Sequence, residues 1–305
     1  MSAKGVKVVA VLGPTCTGKS DLALWLARKV GGEIVNADSM QAYRHFDIGS
    51  AKPDSPVREQ IRHHVIDVAE PGEEFNAAAF QRLADRAITD ISSRGRLPLV
   101  VGGTGLYLRV LFHGLFPVAS EPGLRERLRM RYLENPDLVY GELREKDPEY
   151  ALTISPRDGV RVVRGLEIYA VSGVPMSRWR SGHGFREERY VACKIGLRAE
   201  RQALYARIDR RVEAMLARGW VEEVEGLLKL YPQEAKPFHA IGYREIVLYL
   251  SGEMAYSEMV ERIKRATRHY GKRQLTWFSR EKGIEWHTYP EERDMILERI
   301  RSFLG

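Results

Sequence analysis

The chain has 305 residues, enough for about two domains, and its 44% hydrophobic and 29% charged residues are typical of a folded protein. No apolar run reaches the ~18 residues of a membrane-spanning helix and no signal peptide is evident, so we expect a cytoplasmic protein with no membrane contact. The two distant cysteines, Cys16 and Cys193, exclude a disulfide framework and a Cys-x-x-Cys zinc site, and the formal charge of +7 is compatible with a polyanionic partner.

The first predicted elements alternate between strand and helix. Residues 6–12 (VKVVAVL) form a continuous apolar, β-branched run that indicates a buried strand. Apolar residues then recur at helical spacing from Leu22 to Val30 and stop at a pair of glycines. Buried strands are also predicted over residues 33–37 and 97–101. Strand, helix and strand in this order indicate an α/β fold with a parallel sheet.

The middle of the chain has a different pattern. From about residue 120 to residue 190, strand patterns give way to helical patterns rich in Arg, Leu and Glu. Residues 191–197 (VACKIGL) resemble a returning strand, and from Arg198 the pattern is helical to the end. We therefore predict a core of residues 1–119 and 191–305, interrupted by a mainly helical insertion domain over residues 120–190.

A basic segment lies near the C-terminus. Eight basic residues and one acid occur between Arg262 and Lys282, and apolar residues at helical spacing can turn one face of this segment toward the protein. Charge runs are usually solvated helix faces, and that interpretation stays open. An adjacent aromatic side chain, on which a base can stack, favours nucleic-acid binding. The candidate RNA contacts here are Arg265, Lys272, Arg273 and Trp277.

A phosphate-binding motif, G-x-x-x-x-G-K-[ST], occupies residues 13–20 between a predicted strand and a predicted helix. Its N–H groups and the positive end of the helix can face an anion, with Lys19 as a point charge and the Ser20 hydroxyl as a ligand of Mg²⁺. The motif predicts binding of a diphosphate or a longer phosphate chain and leaves the reaction open. The candidate binding residues are Gly13, Pro14, Thr15, Cys16, Thr17, Gly18, Lys19 and Ser20.

Two more motifs follow predicted strands, DSMQ at residues 38–41 and GGTG at residues 102–105. Because ligands of open parallel sheets bind outside the carboxyl ends of the strands, these motifs map to the site of the phosphate loop. Asp38 can ligate Mg²⁺ or, with Ser39, cap a helix. Thr104 can donate a hydrogen bond to an oxygen in the cleft, and it can also be a helix cap.

Six segments follow one another in the order expected of one family: GPTCTGKS, NADSMQAYRHFDIGSAKP, VVGGTGLYLR, RDGVRVVRGLEIY, PFHAIGYREI and KRQLTWFSR. Over residues 6–280 the chain resembles the bacterial tRNA dimethylallyltransferase, or tRNA isopentenyltransferase, family. The family usually has Ala-Ser where this chain has Cys16 and Thr17. Both pairs are small, so we expect little effect. The resemblance implies a P-loop NTPase-like parallel sheet flanked by helices.

The resemblance also implies an activity. The dimethylallyl group of dimethylallyl diphosphate would be transferred to the exocyclic N6 of adenosine 37 in tRNA, with Mg²⁺ as the cofactor and the anticodon stem-loop as the partner. Asp38 would remove the proton of the amine, and Thr104 would hydrogen-bond the bridging oxygen of the diphosphate. Lys19, Mg²⁺ on Ser20 and, by resemblance, Arg211 would offset the charge of the departing diphosphate.

The RNA contacts implied by the resemblance lie in two places. The adenine must leave the base stack to react, and residues Asp38, Ser39, Met40 and Gln41 would contact the flipped base, with Thr104 as a further RNA contact. Arg161 and Arg164, three residues apart on one helix of the insertion, are candidate RNA contacts. Their alternative is ion pairing with Asp158 or Glu167.

Three other functions fit parts of the sequence. A small-molecule kinase explains the phosphate loop but neither GGTGLY nor the basic segment. An RNA-binding switch controlled by a nucleotide would have no activity on an allylic diphosphate. An adenylate isopentenyltransferase would need neither the insertion nor the RNA-binding surface. We expect a monomer.

Overall fold

A computed structural model describes residues 5–116, 118, 120–184 and 187–305. The chain divides into two compact units, Met1–Phe112 with Arg189–Gly305 and His113–Glu188. The domain boundaries predicted from the sequence, at residues 119 and 190, stay predictions, because compactness does not test whether either unit folds as a domain. In the described part of the chain, no helix is both long enough and apolar enough to cross a membrane.

Six strands form one sheet in the larger unit. They are β1 (Lys7–Leu12), β2 (Gly32–Asn36), β3 (His63–His64), β4 (Leu97–Gly102), β5 (Val191–Leu197) and β6 (Ile284–His287). Their order across the sheet is β3-β2-β4-β1-β5-β6, and every neighbouring pair is parallel. The predicted α/β class, a parallel sheet flanked by helices, is confirmed.

The helices of the larger unit connect and cover these strands. They are α1 (Lys19–Val30), α2 (Ser55–Gln60), α3 (Ala77–Ser93) and α4 (Gly105–His113), and then, after the helices α5 to α9 of the smaller unit, α10 (Arg201–Ala217), α11 (Trp220–Leu228), α12 (Tyr243–Leu250), α13 (Tyr256–Phe278) and α14 (Arg293–Leu304). A short 3₁₀ helix, Lys236–His239, precedes α12.

The sheet is buried on both faces, as the continuous apolar runs predict. Along β1, Val8 and Ala10 belong to one hydrophobic cluster, and Val9 and Val11 belong to a second cluster on the opposite face. Because a parallel sheet is covered by helices on both sides, successive residues of one strand enter different cores. The helix predicted after the phosphate loop ends at Gly31, which adopts a left-handed conformation at φ 64°.

Two short strands differ from the predictions. The segment after Arg198 is not helical to its end, because β6 pairs with β5 from Ile284 to His287. At the other edge, the two-residue strand β3 pairs with β2. Strands of two and four residues at the edges of a sheet carry too few alternating positions for a periodicity to be recognised.

The smaller unit contains α5 (Pro122–Glu134), α6 (Pro136–Lys146), α7 (Pro148–Ala151), α8 (Gly159–Ser172) and α9 (Met176–His183), and its described residues form no strand. Its core is built on side chains such as Val139, Leu143 and Val162, none of which is exposed. A buried carboxylate, Glu167, accepts hydrogen bonds from the Ser120 hydroxyl and the Arg125 guanidinium. The unit therefore has its own apolar core and its own buried carboxylate, which partly exposed arginines neutralise.

A buried carboxylate also joins the amino-terminal end of β2 to the segment just before β4. Glu33 is 1% exposed and accepts hydrogen bonds from Arg94, Arg96 and His64. The Arg94 guanidinium, together with His64 and Arg96, holds the pKa of Glu33 well below its ordinary range despite its burial. These contacts lie at the opposite end of the strands from the sequence motifs, so their role is structural.

We predict that Glu33→Gln lowers the free energy of unfolding by about 2 to 3 kcal/mol at pH 7, because charged hydrogen bonds to a buried group are lost. The stabilisation by Glu33 is present above the carboxylate's unfolded pKa of about 4.3 and is lost as the pH falls through the lower folded pKa. The difference between wild type and variant therefore shrinks below about pH 4. Denaturant unfolding at several pH values measures this difference in the free energy of unfolding, and Glu225→Gln, at an exposed ion pair, is the control. A difference that does not change with pH contradicts the prediction.

Candidate active site

The phosphate loop connects β1 to α1 and folds back tightly at two glycines. At Gly13, φ is 136° and a Cβ atom would lie 2.4 Å from the carbonyl oxygen of Leu197. At Gly18, φ is 89°, and a Cβ atom would meet the ring of Tyr289 at 2.5 Å. Only glycine fits both the conformation and the contact at these positions, so the loop is fixed in shape by its neighbours.

Lys19 is held inside this loop. Its Nζ donates to the carbonyl oxygen of Pro14 at 2.6 Å, and the Thr17 hydroxyl donates to the same oxygen at 2.9 Å. Burial, followed by the nearby charge of Arg211, lowers the pKa of Lys19 to about 8, although Asp38 acts in the opposite direction. The structure therefore gives Lys19 a backbone partner that a phosphate oxygen can replace.

Arg211 reaches the loop from α10. Its Nη1 lies 3.8 Å from the Sγ of Cys16, and both side chains are half-buried. The sequence offered no local signal for this arginine, which was implied only by the family resemblance. The structure brings it to the same loop as Lys19, so two cations border the site where a diphosphate can bind.

Asp38 follows β2 in a rigid turn. Its Oδ1 accepts from the Met40 N–H at 2.9 Å, whereas Oδ2 accepts no hydrogen bond from any described residue. The Asn36 side chain accepts from the Asp38 N–H and donates to the Asp38 carbonyl, both at 3.2 Å. The segment after Asp38 forms turns and not a helix, so the helix-cap interpretation of Asp38 and Ser39 is wrong. One carboxylate oxygen of Asp38 therefore has no hydrogen bond from the described residues, and its role as a base stays a prediction.

Thr104 connects the GGTG turn to the Asp38 turn. Its hydroxyl accepts from the Ser39 N–H at 3.1 Å, and its N–H donates to the Ala37 carbonyl at 3.3 Å. Its own carbonyl accepts the first hydrogen bonds of α4, from Tyr107 and Leu108. Thr104 thus stands at the N-terminus of a helix, as the alternative interpretation held, but its hydroxyl bonds to the neighbouring loop.

Gln274 of α13 is a site residue that the sequence analysis missed. Its Oε1 accepts from the Thr15 N–H at 2.9 Å, and its Nε2 donates to the Gly103 carbonyl at 2.9 Å. The side chain is 5% exposed. A signal existed, because Gln274 extends the helical spacing of the buried residues Met259 and Ile263 beyond Tyr270.

Gln41 and Ser20 are the remaining predicted site residues at the strand ends. The Gln41 amide donates to the carbonyl oxygens of Ser50 and Ala51, both at 3.1 Å, so this amide is already engaged by the next loop. Ser20 lies in the first turn of α1 with its side chain exposed. The described residues contain no group of three or more His, Cys, Asp or Glu side chains placed to hold a metal ion.

Comparisons with known proteins agree over nearly the whole chain. The family model for IPP transferase matches residues 41–281. A tRNA dimethylallyltransferase of Citrifermentans bemidjiense is 49% identical over 304 residues, 99% of this chain and 98% of that protein. A second, from Geotalea uraniireducens, is 46% identical over 303 residues, 98% of each protein.

Solved structures of related enzymes are also similar to this chain in three dimensions. The full-length tRNA isopentenylpyrophosphate transferase of Bacillus halodurans is 35% identical with a TM-score of 0.73, covering 98% of this chain and 97% of its own. A eukaryotic dimethylallyltransferase, described as acting on tRNA, is 32% identical with a TM-score of 0.82, covering 97% of this chain and 77% of its own.

The chain belongs to the IPP transferase family. The resemblance stated from the sequence segments is confirmed. That the phosphate loop, the Asp38 turn and the GGTG turn form the active site of this family member stays a prediction. The roles of individual side chains stay predictions.

In this IPP transferase, the basic segment forms the exposed face of α13 and the turn after it. Three of its eight cations are paired, since Arg262 bonds to Glu258, Lys264 to Glu213 and Arg268 to Asp209. The other five have no carboxylate within 4.0 Å among the described residues. These exposed cations are Arg265, Lys272, Arg273, Arg280 and Lys282. Ion pairing therefore leaves five cations for a polyanion, whereas the count along the sequence gives eight.

Trp277 has a partner within the protein. The Arg109 guanidinium lies 4.3 Å from the ring centroid, and a Cβ atom on Gly105 would touch the same ring at 2.3 Å. Arg109 also bonds to Glu281. Trp277 is half-buried, so it joins α13 to α4. Stacking of an RNA base on this ring stays a prediction.

The two arginines predicted to contact RNA from α8 both form ion pairs. Arg161 lies 3.4 Å from Asp158 and is 57% exposed, whereas Arg164 bonds to the buried Glu167 at 2.7 Å and is 29% exposed. The ion-pair alternative is therefore present in the structure. RNA contact stays a prediction for both, and the exposed Arg161 has the more accessible charge.

We predict that pyrophosphate binding weakens as the pH rises above about 8, the pKa of Lys19, because the neutral amine no longer attracts the anion. Each pH unit above that pKa can reduce the affinity up to about tenfold. Calorimetric titration of pyrophosphate between pH 7 and pH 9.5 measures the effect. Lys19→Met should bind more weakly at pH 7 and show a flatter pH dependence; equal pH dependence of the two proteins contradicts the assignment.

We predict that changing Arg265 and Lys272 together to Gln flattens the slope of log affinity for tRNA against log salt by ~1 to 2, because each phosphate contact contributes about 0.7 to 0.9. The matched control changes Arg262 and Lys264 to Gln, since these cations lie on the same helix but are paired with acids. An unchanged slope in the variant of Arg265 and Lys272 would leave the five exposed cations as a solvated helix face.

Proposed function

We propose that this chain transfers the dimethylallyl group from dimethylallyl diphosphate to N6 of adenosine 37 in tRNA, with the anticodon stem-loop as its partner. The observation that carries the proposal is that an anion-binding loop and a carboxylate lie side by side at one edge of the sheet in a member of the IPP transferase family. A cation-bordered phosphate loop, with Lys19 and Arg211, lies beside a carboxylate turn with Asp38. The relatives named tRNA dimethylallyltransferase match the chain end to end.

The exocyclic amine of adenine is a poor nucleophile because its lone pair is delocalised into the ring. A carboxylate that takes the proton as the nitrogen–carbon bond forms lowers this barrier. Asp38 can do so with Oδ2, while the Met40 N–H holds Oδ1 and Asn36 holds the backbone on both sides. Thr104, one hydrogen bond from Ser39, lies beside this turn and is the proposed donor to the bridging oxygen.

Breaking the carbon–oxygen bond places negative charge on the diphosphate. Lys19, Arg211 and the loop N–H groups can stabilise that charge in the transition state more than in the bound substrate. The diphosphate leaves intact, so no group has to attack a phosphorus atom. ATP can enter the same loop through its phosphates, and we propose that it only competes.

Magnesium fits this site through Ser20. Mg²⁺ is commonly held by one or two protein oxygens together with substrate phosphates and water, and the exposed Ser20 hydroxyl at the start of α1 is one such oxygen. When bound, the ion offsets charge on the diphosphate. The proposed working state is a monomer in the cytoplasm.

The alternatives are distinguished by the products. A kinase would form ADP, an RNA-binding switch would form no prenyl product, and an adenylate isopentenyltransferase would modify free nucleotides instead of RNA. Incubation of the protein with an anticodon stem-loop and labelled dimethylallyl diphosphate, with no ATP, tests the proposal. Prenylated adenosine in the RNA is the expected product, and its absence contradicts the function.

We predict that Asp38→Asn lowers the single-turnover rate at saturating substrates by at least ~100-fold, the low end for a positioned base. The asparagine keeps an oxygen for the Met40 N–H, so the turn and the affinity for the stem-loop should be unchanged. Asp54→Asn, at an exposed carboxylate of the same unit, is the control. Turnover near that of wild type would leave Asp38 with only a structural role.

A further inference from the structure

We propose that Gln274 is a positioning residue, which holds the phosphate loop at a fixed distance from the GGTG turn and so sets the gap between diphosphate and base. The catalytic part of this inference rests on the proposed prenyl transfer. Its binding part, the shaping of the diphosphate site, does not.

The two hydrogen bonds of Gln274 join parts of the chain that are far apart in sequence. Thr15, whose N–H is bound by Oε1, lies in the loop that carries Lys19, and Gly103, whose carbonyl is bound by Nε2, directly precedes Thr104. Thr104 in turn accepts from the Ser39 N–H beside Asp38. One buried amide therefore connects the loop that binds the leaving group with the turn that carries the proposed base.

The close fit around this amide indicates a fixed position. Gly103 has no side chain, and a Cβ atom there would lie 2.2 Å from Nε2 of Gln274. Such a Cβ atom would also lie 3.4 Å from the carbonyl oxygen of Gly13, so the two loops approach each other at this point. A neutral amide suits the position because it both donates and accepts, and the partly buried Thr15 N–H and the buried Gly103 carbonyl need one of each.

Neighbours of Gln274 on the same face of α13 strengthen the placement. Tyr270, one turn earlier, lies against the Thr104 hydroxyl and the Gln274 amide, and burial raises the pKa of its phenol. Trp277, one turn later, packs on Gly105. Three successive turns of α13 thus contact the last three residues of the GGTG segment, and Gln274 also reaches the phosphate loop.

Gln274 lies on the same helix as two cations that are predicted to contact RNA. Lys272 and Arg273, the residues two and one before it, are exposed and have no carboxylate within 4.0 Å among the described residues. The same helix therefore presents cations outward and the amide inward. The test must separate these two faces, so it measures RNA affinity and diphosphate affinity independently.

The experiment uses Gln274→Met, which keeps the volume and removes both hydrogen bonds, and Gly103→Ala, which displaces the amide without changing Gln274. Gln202→Met, at an exposed glutamine of α10, is the control. Two hydrogen bonds at about 1 kcal/mol each, at 1.36 kcal/mol per tenfold, correspond to a loss of up to about 30-fold in affinity. Calorimetry with Mg²⁺ and pyrophosphate should show this loss in both variants.

Affinity for the anticodon stem-loop should stay within about twofold of the control, because the exposed face is unchanged. The single-turnover prenylation rate at saturating substrates should fall about 10- to 100-fold, since misplaced reacting groups cost up to about 100-fold. A thermal melt shows whether each variant is folded.

Pyrophosphate binding by Gln274→Met equal to that of Gln202→Met would overturn the inference. If Gln274→Met does not fold, Gly103→Ala decides alone, and wild-type pyrophosphate binding by that variant would overturn it. Equal losses of pyrophosphate and stem-loop binding in a folded variant would also overturn it, because they indicate general distortion. A wild-type protein that binds pyrophosphate but does not prenylate RNA contradicts the proposed function and leaves the binding test of Gln274 intact.

Discussion

The parallel pairing of β1, β4 and β2 is the constraint on which the rest of the structure depends. Leu12 is in register with Gly102, and Asn36 is in register with Val101, so the three strands end almost level. Because parallel strands end on the same side, the loops after them meet at one edge although crossover segments separate them in sequence. A slip of one residue in either pairing would move the side chains of that strand from one buried core to the other and shift the loops relative to each other.

Backbone close to backbone is the second feature of this edge. A Cβ atom on Gly102 would lie 2.2 Å from the carbonyl oxygen of Ala37, so only glycine allows this approach. Side-chain amides then join the loops that lie this close together. Asn36 holds the peptide groups around Asp38, and Gln274 holds those of Thr15 and Gly103. Amides carry no charge, so they fix these loops without opposing the cations that face a diphosphate.

Helix α13 combines support of the site with an exposed charged surface. Its buried face contacts the phosphate loop and the GGTG turn, and its exposed face and the following turn carry five cations with no carboxylate within 4.0 Å among the described residues. Two acids of α10 form ion pairs with cations of α13. Asp209 pairs with Arg268, and Glu213 pairs with Lys264. A neighbouring helix thus pairs two of the eight cations of the segment, which a count along the sequence does not reveal.

The sequence by itself determined the parallel α/β class, the phosphate loop, the placement of Asp38 and Thr104 after strands, and the helical face that carries Arg265 and Lys272. Each of these depends on local periodicity or on a motif that directly follows a strand. Only the tertiary structure decided that Gln274 joins Thr15 to Gly103, that Arg109 covers Trp277, and that Asp38 begins a turn instead of a helix. Gln274 lies 259 residues from Thr15 and 171 from Gly103. Pairings over such distances depend on how the elements pack, and no local pattern encodes that packing.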